Sequence, residues 1–355
     1  MRAFAGLAHV LGRLMLLAAI MVLLLSLVTR RTVDAIYDPA LMQTAVARYW
    51  LNDEALVRLG QRYAQAQMQK TPSDDERLIF WRALNTFDDD QWRTMTGMIA
   101  PRDVVLPMVD EAALALTTWL RTPGAPPEAV VSLASWKAMA QRQSPVWTDW
   151  FFAQFRPCDA VETLVWGEAW ALDDWRLPPL CLPLGGARQI FVESASAALQ
   201  QEIANVPAQV NLLDPQRVPI ETLETAKNRL AQARRWAGLA WVLVGGLLLL
   251  GLVLIVRSWG DLFIALGSFM AWSGLALVLL GVIPRRLAAW AMQFVSGIPA
   301  WASDATQATA AFYLEHILLP LCPLGIGLAV AGAAAWLAAA LLKARQRKAE
   351  NHAAG

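Results

Sequence analysis

The sequence predicts an all-α integral membrane protein: a four-helix transmembrane bundle of one span plus three, with a large, mainly helical extracytoplasmic domain inserted after the first span. Three observations predict it. Four stretches are apolar over the length a bilayer demands, about 20 residues as helix, because backbone polar groups must pair internally where water is absent. The charge lies elsewhere: residues 29–235 hold 25 of the 29 acidic and 21 of the 30 basic side chains. That region also carries helix-start signals and apolar stripes at helical spacing, with few alternating β-branched runs, so few strands or none are expected.

The first apolar stretch, 6–28, carries His9 and Arg13 near its start and no charge from Leu14 onward. Its apolar core is longer than the 7–15 residues usual in a cleaved signal, and Leu25-Ser26-Leu27-Val28-Thr29 lacks a small-x-small cleavage site. An N-terminal signal anchor, 1–28, is the expectation.

Residues 29–218 read as the helical domain. Asp38-Pro39 sets a cap and an N1 proline before the stripe Leu41, Met42, Ala45, Val46, Tyr49 and Trp50. Ser73-Asp-Asp-Glu76 and Asp88-Asp-Asp-Gln91 read as capping boxes, and Asp159 with Glu162 as a third. Val109, Ala112, Ala113, Leu116, Trp119 and Leu120 form one helix face, and Phe191, Ala195, Ala198, Leu199 and Ile203 another.

From residue 219 to 256 no breaker intervenes, so a stalk should run on into the second span as one helix. Pro219 is expected at N1, with Ile220, Leu223, Leu230 and Ala233 at heptad-like spacing. A short cytoplasmic connector and the third span follow (257–283), then an extracytoplasmic interfacial loop (284–316), the fourth span (317–342) and a basic tail (343–355). The loop is expected to lie along the membrane face, since 284–312 mixes Trp290, Trp301 and other apolar residues with Arg285, Arg286 and Asp304.

Both termini are expected on the cytoplasmic side of the cell membrane and the large domain outside. Basic residues at the two ends, Arg2, Arg13, Lys343, Arg345, Arg347 and Lys348, are nearly balanced by those flanking the inner segments. The cysteines tip the balance. Cys158 and Cys181 are the only two in the domain and flank a short stretch, as a disulfide would; two unpaired, buried thiols are the alternative.

Ten of the 17 tryptophans lie in the domain, and Trp147, Trp150, Trp166, Trp170 and Trp175 cluster with Phe151, Phe152 and Phe155 between them. Such rings either line an apolar groove or fill a helical core, the latter being the commoner use. In the last span Gly325, Ala329 and Ala333 recur every four residues, a small-residue face for packing within the bundle, a protein partner or a second copy.

Chemistry-bearing motifs are scarce. Of three histidines only His316 stands near a span serine, Ser273, and the two differ in depth by about 10 Å or more at 1.5 Å per residue. The runs Asp74–Glu76 and Asp88–Asp90 lack calcium-loop spacing, two cysteines without a neighbouring histidine make half a zinc site, and no Gly-rich phosphate loop occurs. No cofactor, metal or catalytic residue is assigned, and the mild negative charge of the domain gives no reason to expect nucleic acid.

The expected function is that of a non-enzymatic interaction or sensing protein presenting a helical ectodomain. The alternative is an accessory or permease-like subunit of a membrane transport assembly. In topology alone the span order resembles bacterial permease subunits of the mechanotransmission type, which carry a coupling element between their second and third spans; here that connector is only Arg257-Ser-Trp-Gly-Asp261.

Overall fold

A computed structural model of the chain describes residues 2–176, 178–183, 185–216, 219–282 and 303–353. The fold is helical, with four long apolar helices, one N-terminal and three C-terminal, and it divides into two compact units.

In the first unit, α1 (Arg2–Ile36) pairs with α10 (Ile220–Ile255), and α11 (Trp259–Val282) with α13 (Leu321–Ala353). Both pairs are antiparallel and both keep a seven-residue rhythm. On α1 the buried residues Leu16, Ala19, Leu23, Ser26 and Val33 fall at intervals of three, four or seven, and Tyr37 continues the series. On α10 Ala237, Val244 and Gly251 are buried one heptad apart. That is the spacing of left-handed knobs-into-holes packing. The Ser26 hydroxyl, buried in the seam, donates to the Ala237 carbonyl at 3.0 Å. The α10 helix is unbroken, as its sequence demands, but Pro219 sits at its N-cap rather than at N1. Lys227 occupies the buried position between Leu223 and Leu230.

The α11–α13 seam is closer still, because glycine recurs every seventh residue on α11 at Gly260, Gly267, Gly274 and Gly281. A Cβ on Gly332 would lie 2.7 Å from the Gly267 carbonyl oxygen, and one on Gly267 2.8 Å from that of Gly332. Ser258 caps α11 through its neighbour Asp261, whose carboxylate also meets Lys343 at 3.6 Å.

The fourth apolar segment opens as a separate helix, α12 (Ser303–Leu318), and turns at Leu319-Pro320 before α13. Pro320 has no N–H to give the helix and disfavours helical backbone at Leu319. The stretch expected to lie along the membrane face falls outside the described residues as far as residue 302. Its remainder is the start of α12.

Large apolar side chains stand exposed along α1, α10, α11 and α13, among them Leu17, Met21, Leu25, Val242, Val253, Leu279 and Leu337. A water-soluble protein does not display apolar surface on that scale. The chain is a multi-pass membrane protein, and its outer helix faces require a lipid bilayer.

The second unit holds α2 (Pro39–Tyr49), α3 (Asp53–Lys70), α4 (Arg77–Leu84), α5 (Asp89–Ile99), α6 (Arg102–Arg121), α7 (Ala134–Ala153), α8 (Ala160–Leu172) and α9 (Gly186–Asn205). Helix starts at α5 and α8 are built as capping boxes, Asp88 with Gln91 and Asp159 with Glu162. The third expected box, Ser73 to Glu76, does not form. The α4 helix begins at Arg77 without a side-chain cap, because Asp75 turns its carboxylate to the Arg77 backbone N–H and guanidinium instead.

Two short strands, β1 (Val130–Ser132) and β2 (Gln209–Asn211), pair antiparallel with Val131 opposite Val210. Asn211 locks the ribbon from its side chain, accepting from Ala129 N–H and Leu213 N–H and donating to the Pro127 carbonyl. In the same unit residues 303–309 of α12 are held by Trp50, whose indole donates to Thr309 at 2.9 Å, and by the Arg62–Asp304 ion pair at 2.8 Å.

Candidate functional site

Two cavities adjoin in the helical unit. The first, about 300 Å³, lies among α4, α7, α8, α9 and the segment Leu180–Leu182, and its aromatic wall includes Phe80, Phe151, Phe152, Trp166, Trp170 and Phe191. The second, about 370 Å³, is bounded by Met95, Met98, Trp136, Trp147, Trp150 and Ile203. Phe80, Phe151, Phe152 and Ala195 belong to the walls of both.

One helix face floors the pair. Phe191, Ala195, Leu199 and Ile203 are spaced by four on α9; the first two line the first cavity and the last three the second. Along this floor runs a chain of ring contacts: Trp175 to Trp170 at 6.2 Å, Trp170 to Trp166 at 5.9 Å, Trp166 to Phe191 at 5.0 Å and Phe191 to Phe152 at 5.3 Å. Phe151 continues it to Phe80 and Phe87, and Phe87 meets Trp150 edge-on at 5.8 Å. Most of these contacts are edge-to-face, an arrangement that aromatic pairs prefer.

The five tryptophans singled out by the sequence are therefore divided. Trp166, Trp170 and Trp175 line the first cavity, Trp147 and Trp150 the second. Trp147, Trp166 and Trp175 are buried in core clusters as well as facing a cavity, whereas Trp170 is nearly half exposed. Phe80, Met95, Met98, Ile99 and Trp136 complete the walls from α4, α5 and α7. Phe80 is exposed and lies off the stripe that buries Leu78 and Leu84, which is the sequence signal that would have found it.

Two anchors hold the outer wall of the first cavity. Cys158 and Cys181 are joined as a disulfide, and the Cys158 N–H donates to the Leu182 carbonyl at 2.7 Å. Arg82 donates to the carbonyls of Trp175, Arg176 and Pro178 at 3.0, 3.0 and 3.1 Å, with burial pulling its pKa down. A single guanidinium thus gathers three backbone carbonyls.

Beside the disulfide, Glu162 is held by the Arg156 guanidinium and by the Asp159 backbone N–H, which bring its pKa down from an ordinary 4.5 to about 2. Asp174 is likewise drawn to about 2 by the side chain and backbone of Arg176. The ligand atoms of Cys158, Glu162 and Cys181 lie within 4.8 Å of one another, but both sulfurs are spent on their mutual bond and Glu162 on Arg156. That trio is a covalent staple with an ion pair beside it.

The remaining candidates are engaged structurally. Asp88 caps α5, Asp89 accepts from Gln61, and Asp90 pairs with Arg93. Ser273 is fully buried with its hydroxyl given to the Phe269 carbonyl of its own helix, and the His316 ring lies against Phe312. Gly325 and Ala329 meet Gly274 across the α11–α13 seam, while Ala333 is exposed and its neighbour Gly332 is the residue buried there. The seam is thus filled by a helix of the same chain.

No family model, no curated protein and no solved structure matches the chain.

Proposed function

We propose that the chain is a non-enzymatic, membrane-anchored binding or sensing protein whose helical domain lies outside the cell and takes up an apolar ligand in the aromatic groove. The groove carries this reading: two adjoining cavities floored by one face of α9, each within the lower part of the ~300–1,000 Å³ range of small-molecule sites. The Cys158–Cys181 bond supports an extracytoplasmic position, because thiols stay reduced in the cytosol.

The test is saturable uptake of the uncharged fluorophore phenylnaphthylamine by the full-length chain in lipid nanodiscs, with Ala195→Phe as the blocked control. Ala195 lines both cavities, so the added ring intrudes on them. Uptake by the wild type that Ala195→Phe abolishes supports the reading; equal signals from both proteins sink it. Thiol labelling from outside intact cells checks the orientation. Cys158 and Cys181 should react only after reductant is added, without breaching the membrane.

The second reading, an accessory or permease-like subunit of a transport assembly, is favoured by one feature. The α10 helix passes without a break from a charged first half into an apolar second half and is braced along α1, the form of a stiff transmitting rod. Co-purification of a partner ATPase would favour this reading.

A further inference from the structure

We infer that the α1–α10 pair carries a headgroup site for an anionic phospholipid of its own bilayer, built from Arg30 and Arg31 of α1 and Arg234 and Arg235 of α10. The site lies in the membrane-spanning unit and does not depend on the aromatic groove.

The antiparallel register assembles it. Two fixed points set that register: a Cβ on Gly251 would lie 3.1 Å from the Gly12 carbonyl oxygen, and the Ser26 hydroxyl donates to the Ala237 carbonyl. Arg30 stands four residues beyond Ser26, and Arg234 three residues before Ala237. At 1.5 Å per residue both are about one helical turn from the bonded pair, on the same side of it. Position 30 continues the three-four series that buries Leu23, Ser26 and Val33 on α1. Two arginines thus hold facing places in the seam, with Arg31 and Arg235 beside them.

That layer carries a charge excess. Arg30 meets Asp34 at 3.9 Å with both side chains more than half exposed, and Arg234 lies over the Tyr37 ring at 5.8 Å. Arg31 and Arg235 are exposed, and neither is ion-paired with a described residue. Four guanidinium groups therefore share one loosely held carboxylate, and facing like charges repel. A phosphate relieves this, because the guanidinium fork matches its oxygens two at a time.

The level is that of a bilayer surface. Just inward of the arginines Met21, Leu25, Leu239 and Val242 stand exposed, a face suited to acyl chains. Trp236 is exposed at the boundary, where an indole favours the interface. Apolar surface below and guanidinium groups above match the two parts of a phospholipid, which a soluble anion does not. Net charge selects further: a zwitterionic headgroup brings its own cation and leaves the excess in place. In the orientation proposed above, these arginines stand on the extracytoplasmic side, where basic residues beside spans are depleted. A cluster kept there calls for a use.

The experiment titrates the full-length chain, in a neutral detergent, with phosphatidylglycerol or with phosphatidylcholine of the same acyl chains, counting bound lipids by native mass spectrometry. The wild type should bind its first phosphatidylglycerol roughly tenfold or more tighter than phosphatidylcholine. Arg30→Gln/Arg234→Gln and Arg31→Gln/Arg235→Gln should each lose roughly ten- to thirtyfold of that affinity, about fivefold per cation, and bind phosphatidylcholine unchanged. Arg31 and Arg235 are without ion pairs, so the second variant tests the site with the helix pair undisturbed. Arg13→Gln/Arg257→Gln, at the opposite end of the same two helices, should keep the wild-type affinity.

An equal loss in all three variants would mean diffuse attraction to positive charge. No preference in the wild type, or no loss in the first two variants, would make the arginines solvated anchors. Displacement of the lipid by an equal concentration of glycerol phosphate would mark a site for a soluble anion. Each of these results overturns the inference.

Discussion

Gly274 of α11 and Gly325 of α13 face each other so closely that a Cβ on Gly325 would stand 2.7 Å from the Gly274 carbonyl oxygen and 2.9 Å from the Leu277 Cβ. Neither neighbour is the end of a flexible chain, so neither can yield cheaply.

Gly325→Ala should therefore force the two helices apart. Overpacking of this kind costs about 1–3 kcal/mol, against which the entropy advantage of alanine in a helix returns only about 0.5–1 kcal/mol. Gly327→Ala, two residues on, meets nothing within 4 Å and should be neutral or mildly stabilising. Unfolding midpoints of the two variants in mild detergent check the pair. A seam that tolerates Gly325→Ala as well as Gly327→Ala would contradict the close approach.

This seam is only half legible in the sequence. The four apolar spans can be read directly, because absence of charge over twenty residues needs no tertiary information. Four-residue spacing picks out Gly325, Ala329 and Ala333 as the small-residue face, yet the buried set is Gly325, Gly332 and Ala339. Both spacings are present in an alanine-rich helix, and only the partner decides between them. The heptad Gly260, Gly267, Gly274 and Gly281 on α11 is the missing signal, since a repeat of seven marks a left-handed helix pair.

Arg82 should control the wall of the first cavity. Replacing it with methionine keeps the stem and leaves the carbonyls of Trp175, Arg176 and Pro178 without their shared donor. A loss of about 1–3 kcal/mol in stability is expected, with weaker phenylnaphthylamine uptake in the same variant. Chemical denaturation gives the first and titration the second. Unchanged uptake beside lowered stability would separate the loop from the groove.

The disulfide should act on the same wall. Cys181 lines the first cavity and the bridge closes a sequence separation of 23 residues, for which the loss of unfolded-state entropy is about 3 kcal/mol. Reductant should lower the denaturation midpoint of the helical unit in the wild type and leave a Cys158→Ala/Cys181→Ala variant unaffected. A reductant effect that persists in the double variant would point to Cys322, the remaining cysteine.

Legibility of the groove divides along similar lines. The stripe Phe191, Ala195, Leu199 and Ile203 and the capping boxes at Asp88 and Asp159 follow from local rules, and the structure uses them. The split of five clustered tryptophans between two cavities follows from how α4, α5, α7 and α9 meet, which no spacing along one helix encodes. The Ser73–Glu76 box fails for a local reason that a pattern search overlooks: Asp75 has a stronger partner in Arg77 than any cap position offers.

Acid should loosen the region around the disulfide through Glu162. Its carboxylate is held near pKa 2 by the Arg156 guanidinium first and the Asp159 N–H second, against an ordinary 4.5. A carboxyl whose folded-state pKa is depressed contributes stability above its unfolded value and loses that contribution as pH falls through the folded one. The contribution of Glu162 is thus complete above about pH 4.5 and disappears between there and about pH 2. Asp174, held near 2 by Arg176, fails over a similar window below 3.8. The Glu162→Gln variant carries no ionisable group at this position, so its denaturation midpoint should fall less steeply between pH 4.5 and 2 than that of the wild type. The two proteins should converge at the acid end, where a protonated glutamic acid and a glutamine are alike in charge. Parallel pH profiles would mean that the Arg156 pair is too well solvated to matter, the ordinary fate of an exposed ion pair.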